Sequence, residues 1–440
     1  MCMGRRRGTP HRPGRTRAVR GCLTWFRTRQ VARKIQKKPS ARPRVVLPWF
    51  KANCLGVLGV YRAPPMTTPR FCLSFIWSTL LKKLYQPGGL MEQSIVTFLE
   101  RILPDATSIV VEDFQQIAGG FSRETFKCDA RVTRGGKEEV MPLILRKDPP
   151  DVEAILHTDR AVEHNLIESL RLRTTIPVSQ SYGYEMDPKH FGEPAMIIER
   201  ASGSGQTSAL FNGGADEDQA ESVIKHLCET LVELHKCPIN MIDPNGELSD
   251  PFHRGIKIDT WDSFMDSTIE FFESSYPTLN FDPILMIALD AVYTLRRNKP
   301  RAMPLSIVHG DFNPANFLYK DGQVSALIDW EASRVGDPRE DLGWMVLMDV
   351  ISNSHVMDYP KKEGGFLSYY NKLTGNDITP EELGYFTLFG TMQIAVPVQQ
   401  FVSRRVNKEY MLLLPFYVAQ SSMGAFPAMA QLMGYAGVPA

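Results

Sequence analysis

Three polar side chains lie close together in the sequence, on either side of a predicted hairpin. Asn316 follows Asp311 by five positions, and Asp329 stands at the end of the hairpin. Residues 317–328 read as two short strands around an Asp-Gly turn, which is a strong hairpin signal. A loop and a hairpin should therefore bring two carboxylates and one amide towards the same point.

This grouping of side chains suits phosphoryl transfer. That chemistry needs an oriented acceptor hydroxyl and a Mg²⁺ ion that neutralises the charge of the phosphates. Asp311 can accept the hydroxyl proton, while the Asn316 amide oxygen and the Asp329 carboxylate can hold the metal. Because Mg²⁺ prefers oxygen ligands and keeps several waters, two protein ligands and the nucleotide phosphates suffice.

A lone His-x-Asp motif would usually occur by chance. Here further motifs surround it, so the spacing is a specific signal for a kinase. The order His-Gly-Asp at 309–311, Asn316 and then Asp329 follows the kinase signature. Gly-Asp-Pro at 336–338 and Asp-Leu-Gly-Trp at 341–344 come next. The sequence resembles the aminoglycoside phosphotransferase family, which includes choline kinase-like small-molecule kinases. It is most similar to the branch whose domains are also found fused to acyl-CoA dehydrogenases.

The resemblance covers roughly residues 91–440 and implies an α+β, protein kinase-like fold with two lobes. We expect a basic extension at 1–90, a small nucleotide-binding lobe at 91–200 and a large catalytic and acceptor-binding lobe at 201–440. The small lobe should contain an antiparallel sheet and one main helix, and the large lobe should be mostly helical. The implied activity is transfer of the γ-phosphate of ATP or GTP to a hydroxyl of a small molecule, with Mg²⁺.

The resemblance also implies which residues bind the nucleotide phosphates. A turn that contains Gly119, Gly120 and Ser122 should cover them with backbone N–H groups and one hydroxyl. Arg146 takes the position of the usual kinase lysine, although the neighbouring Lys147 is an alternative. An arginine can supply the charge, but its planar fork is not equivalent to an ammonium group.

Three further positions complete the implied nucleotide site. Glu163 would pair with Arg146, as the glutamate of a kinase helix pairs with the kinase lysine, or it is an exposed helix carboxylate. Glu199 and Ala201 follow an apolar strand and would form the hinge whose backbone groups read the purine. His309 is expected to position the loop and Asp341 to support it, and Gly310 offers no arginine for control by phosphorylation.

The first ninety residues differ sharply from the remainder in charge. They carry 20 Lys and Arg and no Asp or Glu, so the remaining 350 residues carry 30 basic and 49 acidic side chains. Such a segment suits a transit peptide, a tail that binds nucleic acid or membranes, or translated sequence ahead of a start at Met91. We favour the last alternative and expect residues 1–90 to be largely disordered, with a helix near residues 74–84.

Cysteine usage and hydropathy restrict the cellular compartments in which we expect the protein. No stretch reaches the 18 apolar residues of a transmembrane helix, and the three cysteines after residue 90 do not suggest a disulfide framework. We therefore expect a cytoplasmic protein, or a mitochondrial one if residues 1–90 are a targeting segment. No specific nucleic-acid partner is expected.

The acceptor is the least determined part of the function. The acidic balance of residues 91–440 would suit a polycationic aminoglycoside, yet the acids are dispersed. Aromatic residues in the C-terminal region predict instead an apolar pocket for a hydroxyacyl compound or another apolar alcohol; they are Phe366, Tyr369, Tyr370, Phe386, Phe389, Phe401 and Phe416. The alternative function is a catalytically silent module that binds nucleotide or metabolite. Such a module should lack Asp311, Asn316 or Asp329, and all three are present.

Overall fold

Alternating apolar residues build the sheet of the N-terminal half. The structure is a computed structural model that describes residues 88–117, 123–149, 158–211, 217–275, 283–352, 354–405 and 433. The expected extension therefore lies outside the described residues as far as residue 87, as does the helix expected at 74–84. The five strands are β1 (Ala106–Ile117), β2 (Glu124–Arg134), β3 (Lys137–Lys147), β4 (Ser181–Glu185) and β5 (Ala195–Glu199). They pair antiparallel in the order β1-β2-β3-β5-β4.

One face of this sheet is covered by a helix. Every second side chain of β2 is buried, from Cys128 to Val132, as expected of a strand with one covered face. Helix α1 (Gly88–Ile102) packs there through Ile95 and Leu99, which are fully buried. The sheet and α1 thus form a small lobe with its own core.

The main helix of the small lobe is α2 (Arg160–Arg173). Asp159 caps its N-terminus by accepting the N–H of Ala161 at 2.7 Å. Leu166 and Leu170 are buried, which matches an apolar stripe that repeats every four residues. The same helix buries the side chain of Glu163, so α2 presents a carboxylate as well as an apolar face.

The C-terminal half of the described chain is mostly helical. Its helices follow the short α3 (Pro188–Phe191) of the small lobe; they are α4 (Thr207–Phe211), α5 (Glu217–Lys236), α6 (Ile239–Ile242), α7 (Trp261–Ser274), α8 (Pro283–Arg297), α9 (Arg339–Ser352), α10 (Phe366–Thr374) and α11 (Pro380–Arg405). Gly343 lets α9 approach α11 closely, since a Cβ there would lie 2.4 Å from the carbonyl carbon of Phe386. None of the described helices is both long and apolar enough to cross a membrane.

Two small antiparallel pairs of strands frame the loop that carries Asp311. Strand β6 (Ser306–Val308) pairs with β9 (Arg334–Gly336). Strands β7 (Phe317–Lys320) and β8 (Gln323–Leu327) form the hairpin that the Asp-Gly turn predicted. A 3-10 turn (Trp330–Ala332) then connects the hairpin to β9.

Candidate active site

Three side chains donate hydrogen bonds to the carboxylate of Asp311. The Trp344 indole N–H donates to Asp311 Oδ1 at 2.7 Å, and Asn313 Nδ2 donates to the same oxygen at 2.8 Å. Asn316 Nδ2 donates to Asp311 Oδ2 at 2.7 Å and to the Asp311 carbonyl at 2.9 Å. These donors fix the plane of the carboxylate before any substrate arrives.

The environment of Asp311 brings the pKa of its carboxyl group close to neutral pH. Burial, followed by the nearby charge of Asp329, raises the pKa of Asp311 to about 7, although the hydrogen bonds from Trp344, Asn313 and Asn316 act to lower it. A general base is most effective when its pKa lies near the working pH. Asp311 is therefore suited to accept a proton from a hydroxyl group at neutral pH.

The backbone of the loop is held by Asp341 of α9. Its two carboxylate oxygens accept the N–H groups of His309 and Gly310, both at 2.8 Å. His235 Nε2 of α5 is hydrogen-bonded to the same carboxylate at 3.0 Å, and His235 Nδ1 is hydrogen-bonded to the Tyr370 hydroxyl at 2.7 Å. The loop is thereby bonded to the helical core.

His309 is buried and held from both ring nitrogens. Nε2 lies 3.0 Å from the Ile328 carbonyl, and Nδ1 lies 3.3 Å from the N–H of Asp311. The first nitrogen must be the donor and the second the acceptor, which defines a neutral imidazole. Burial also lowers the pKa of His309. This geometry suits a positioning group rather than a proton carrier.

Gly310 has a backbone that few other residues could adopt. Its φ is +78°, and a Cβ there would lie 2.1 Å from the Ala332 carbonyl oxygen and 2.6 Å from Arg334 Nη1. A side chain at this position would displace the neighbouring 3-10 turn. The absence of an arginine here thus has a steric cause.

Arg146 is the centre of a buried ion-pair network. Nη1 lies 2.8 Å from Glu163 Oε1, and Nη2 lies 2.5 Å from Asp329 Oδ1 and 3.2 Å from Glu331 Oε2. Burial alone would lower the pKa of Arg146, but these carboxylates outweigh it and raise the pKa. Lys147 instead pairs with Glu124 at 2.5 Å. The structure brings Arg146, and not Lys147, to the carboxylates.

Two other arginines extend this network, and sequence reasoning did not identify them. Arg160 Nη1 lies 2.5 Å from Glu163, and Arg160 Nε lies 3.2 Å from Asp148. Arg123 Nε lies 3.0 Å from Glu331 and 3.3 Å from Asp148. The spacing of Arg160 three residues before Glu163 on α2 is a signal that could have been used. The network joins β3, α2 and the turn after the hairpin.

Asn316 and Asp329 offer oxygen atoms suited to a divalent cation. Within the described residues, Asn316 Oδ1 and Asp329 Oδ2 accept no hydrogen bond, and the Asp329 side chain is 31% exposed. The N–H of Ile328 donates to the Asn316 carbonyl at 3.0 Å, which places Asp329 beside Asn316. Asp329 has φ +68°, a conformation that aspartate tolerates better than most residues. An amide and a carboxylate oxygen fit Mg²⁺.

The structure describes only some of the remaining residues of the expected nucleotide site. Gly119, Gly120 and Ser122 lie outside the described residues. Glu199 ends β5, where its N–H donates to the Gln180 carbonyl at 2.8 Å. Among the described residues, the backbone N–H of Ala201 has no acceptor, so it is open to a ligand.

The expected apolar acceptor pocket is not formed by the aromatic residues that suggested it. Phe366, Phe386 and Phe389 are fully buried, and Tyr369 and Tyr370 are 4% and 1% exposed. The Phe401 and Phe416 side chains are outside the described part of the chain. Residue type alone could not distinguish core aromatics from pocket-lining ones, and here the described five belong to the core.

Trp344 provides a test of how hydrogen bonds to Asp311 change its pKa. Replacing it with Phe removes one donor that lowers the pKa of Asp311, so this pKa should rise. We expect the carboxylate to be the base, so the acid limb of the kcat/KM profile should move upward by about one pH unit, because a hydrogen bond to a charged group contributes ~1.5–3 kcal/mol. A profile from pH 5 to 9 measures the shift. An unmoved limb in a folded variant would show that Trp344 only packs.

Comparisons with known proteins show the family of the chain. The family model described as the phosphotransferase enzyme family matches residues 113–366. Among curated proteins, acyl-CoA dehydrogenase family member 10 of Mus musculus is 23% identical over 217 residues, which are 48% of this chain and 19% of that protein. Acyl-CoA dehydrogenase family member 11 of Homo sapiens is 22% identical over 335 residues, 70% of this chain and 41% of that protein. The chain thus spans less than half the length of these relatives.

Solved structures share the fold. A Ralstonia eutropha protein provisionally designated an aminoglycoside phosphotransferase has a TM-score of 0.55 and 18% identity, covering 78% of this chain and 99% of that one. The GDP complex of aminoglycoside 2'-phosphotransferase-IIIa has a TM-score of 0.51 and 14% identity, covering 77% and 99%. The α+β, protein kinase-like fold expected from the sequence is confirmed. With more than half of its residues in the family match, the chain belongs to the phosphotransferase enzyme family.

Proposed function

We propose that the chain is a kinase that moves the γ-phosphate of ATP or GTP to a hydroxyl group of a small molecule. The observation that carries this proposal is Asp311, a half-buried carboxylate with a pKa of about 7 that is oriented by Trp344, Asn313 and Asn316. Activation of a hydroxyl group requires a base whose pKa lies near neutral pH. Neutralisation of the phosphate charge requires oxygen atoms nearby that can hold Mg²⁺. The nucleotide complexes of similar structures, with ADP and hygromycin B or with GDP, support a nucleotide as the donor.

In the proposed mechanism, Asp311 accepts the hydroxyl proton while the oxygen attacks the γ-phosphorus, the bond from this phosphorus to the β,γ-bridging oxygen breaks, and the nucleoside diphosphate leaves. Arg146, held by Glu163, stabilises the phosphate charge, and the turn with Gly119, Gly120 and Ser122 covers the phosphates. Asn316 Oδ1 and Asp329 Oδ2 would hold Mg²⁺, which supplies neutralisation of the phosphate charge when bound.

The hinge completes the proposed nucleotide site. The carbonyl of Glu199 and the N–H of Ala201 would face the purine. Because these are backbone groups, they recognise hydrogen-bonding edges of the base irrespective of the local side chains. Either ATP or GTP is compatible with such a hinge.

For the acceptor, we propose a hydroxyacyl compound or a similarly apolar alcohol in preference to an aminoglycoside. The relatives named as acyl-CoA dehydrogenase family members support an acyl compound. A polycation would need several carboxylates around it, because unpaired buried charges are costly. Three described acids of the site, Asp329, Glu331 and Glu163, are already paired with Arg146.

An acceptor screen of the full chain tests this function. Kanamycin, choline, sugars and a hydroxyacyl-CoA are offered in parallel with ATP or GTP and Mg²⁺, and nucleoside diphosphate release is measured. We expect the hydroxyacyl-CoA to give the highest kcat/KM. Efficient transfer to kanamycin, with none to the hydroxyacyl compound, would reverse the acceptor preference.

The alternative is a catalytically silent module. The observation in its favour is that Arg146 pairs directly with Asp329, so a nucleotide must compete for both groups. Binding of nucleotide without transfer to any acceptor of the screen would favour the module. Transfer that depends on Asp311 would eliminate it.

A further inference from the structure

The carboxylate of Glu331 lies among three arginines. Its Oε2 atom is 3.2 Å from Arg146 Nη2, 3.0 Å from Arg123 Nε and 3.9 Å from Arg160 Nη2. The Glu331 side chain is 9% exposed, and the three arginines are buried. One carboxylate oxygen is therefore shared by three buried cations, so a change at Glu331 acts on all of them.

The three arginines belong to different elements of the small lobe. Arg123 stands directly before β2 and directly after the turn that is expected to cover the phosphates. Arg146 lies on β3, and Arg160 is the first residue of α2. Glu331 lies in the 3-10 turn of the large lobe, two residues after Asp329. Its ion pairs therefore join three elements of the small lobe to the turn beside a candidate metal ligand.

Two other carboxylates of the network pair within the small lobe. Glu163 lies on α2 and is paired with Arg146 and Arg160. Asp148 follows β3 and is paired with Arg123 and Arg160. These carboxylates hold the arginines to one another, whereas the turn after the hairpin holds them to the large lobe.

Arg146 Nη2 is shared between Asp329 and Glu331. It lies 2.5 Å from Asp329 Oδ1 and 3.2 Å from Glu331 Oε2. The proposed function requires Asp329 for Mg²⁺ and Arg146 for the phosphates, so an exclusive pair between the two would withhold both from the nucleotide. Glu331 gives Arg146 a second partner on the large lobe, which keeps the guanidinium beside the site when Asp329 holds a metal ion.

We propose that Glu331 is a positioning residue for the phosphate donor. This inference rests on the proposed kinase function and assigns a role to a carboxylate that the mechanism above does not use. Glu331 orients Arg123, next to the turn expected to cover the phosphates, and it prevents Arg146 from pairing with Asp329 alone. Because a guanidinium donates in a fixed planar geometry, its orientation decides whether it can meet a phosphate. Glu331 thus acts through the arginines and does not itself bind the metal or the substrate.

The test measures how much the phosphates contribute to nucleotide binding. Dissociation constants of adenosine and ADP, and of guanosine and GDP, are measured by titration calorimetry of the full chain with and without Mg²⁺. The ratio of the nucleoside constant to the diphosphate constant isolates the phosphate contribution, because the contacts to the base are common to both ligands. In Glu331→Gln this ratio should fall about 10-fold, the size expected when one charged hydrogen bond is lost. The fall should be equal with and without Mg²⁺.

Two further variants are compared with Glu331→Gln. Glu331→Asp keeps the charge of the network but sets the carboxylate back by one carbon, so it should lower the ratio by a smaller factor. This variant decides the question if Glu331→Gln does not fold. Glu138→Gln is the matched control, because it removes an exposed carboxylate from its pair with Arg131 on the same sheet, and it should keep the wild-type ratio.

The outcomes separate this role from its alternatives. A purely structural role would lower thermal stability and leave the ratio unchanged, and a role as a metal ligand would lower the ratio with Mg²⁺ alone. Either result, or a ratio that rises, would overturn the inference even if kinase activity is found. A lowered ratio in a protein that transfers phosphate to no acceptor of the screen would count against the kinase function alone. A wild-type protein that binds neither diphosphate would overturn both.

Discussion

Asp311→Asn should reduce kcat about 10²- to 10⁴-fold, which is the range for loss of a general acid or base. The amide cannot accept the hydroxyl proton, although it retains the size of the carboxylate and can still accept the bond from Trp344. The dissociation constant of the nucleotide should change little, because Arg146 and Asp329 remain. Steady-state kinetics and nucleotide titration of the variant measure the two effects. The exposed Asp105→Asn is the matched control and should keep full activity.

The same substitution should stabilise the folded protein at high pH. The pKa of Asp311 is about 7 in the folded state and about 3.9 in an unfolded chain, so the folded state binds more protons between these values. Wild-type stability should therefore fall as pH rises from 4 to 7, and Asp311→Asn should lack this loss. Thermal denaturation at pH 5 and pH 8 compares the two proteins. An Asp311→Asn protein with wild-type kcat would remove Asp311 from the mechanism.

Arg146→Met should affect both stability and activity strongly. It leaves the carboxylate of Glu163, which is 1% exposed, without one of its two arginine partners, and it frees Asp329 and Glu331 from Arg146. Removing one partner of a buried ion pair costs ~3–5 kcal/mol. Loss of a group that stabilises transition-state charge lowers kcat about 10²- to 10³-fold. Chemical denaturation and kcat, measured well below the melting temperature, report the two effects.

A second substitution separates these two effects of Arg146. In Arg146→Met with Glu163→Gln, the charge left behind is removed, so part of the stability should return while activity stays low. Arg173→Met, at the exposed end of α2, is the control for loss of an arginine and should behave as wild type. If the double variant regained activity together with stability, Arg146 would be a structural residue only.

Local spacing explains why the centre of the site could be predicted. Asp311, Asn316 and Asp329 lie within one loop and one hairpin, and the turn type fixes how that hairpin returns. Apolar residues that repeat every three or four positions indicate helices such as α5 for the same reason. Short-range patterns carry this information because few backbone conformations satisfy them.

Contacts between distant elements could not be predicted in this way. Trp344 reaches Asp311 from a helix 33 positions later, and Arg146 meets Asp329 across 183 positions. Nothing in the sequence around Trp344 shows which side chain it faces. Similarly, the aromatic residues of α10 and α11 have the composition of a pocket lining, and only packing shows that those described belong to the core. The packing of the folded lobe decides which way each side chain points.

The bonds of Asp341 bear on how the protein can move. Its carboxylate ties the N–H groups of His309 and Gly310 to α9, and His235 ties the same carboxylate to α5. These two loop amides should therefore exchange with deuterium as slowly as the helical core, despite their place beside an open site. We therefore expect the loop of Asp311 and the large lobe to move as one rigid body. We expect any change in the opening between the lobes to be a movement of the small lobe, which the ion pairs of Arg146 join to Asp329 and Glu331.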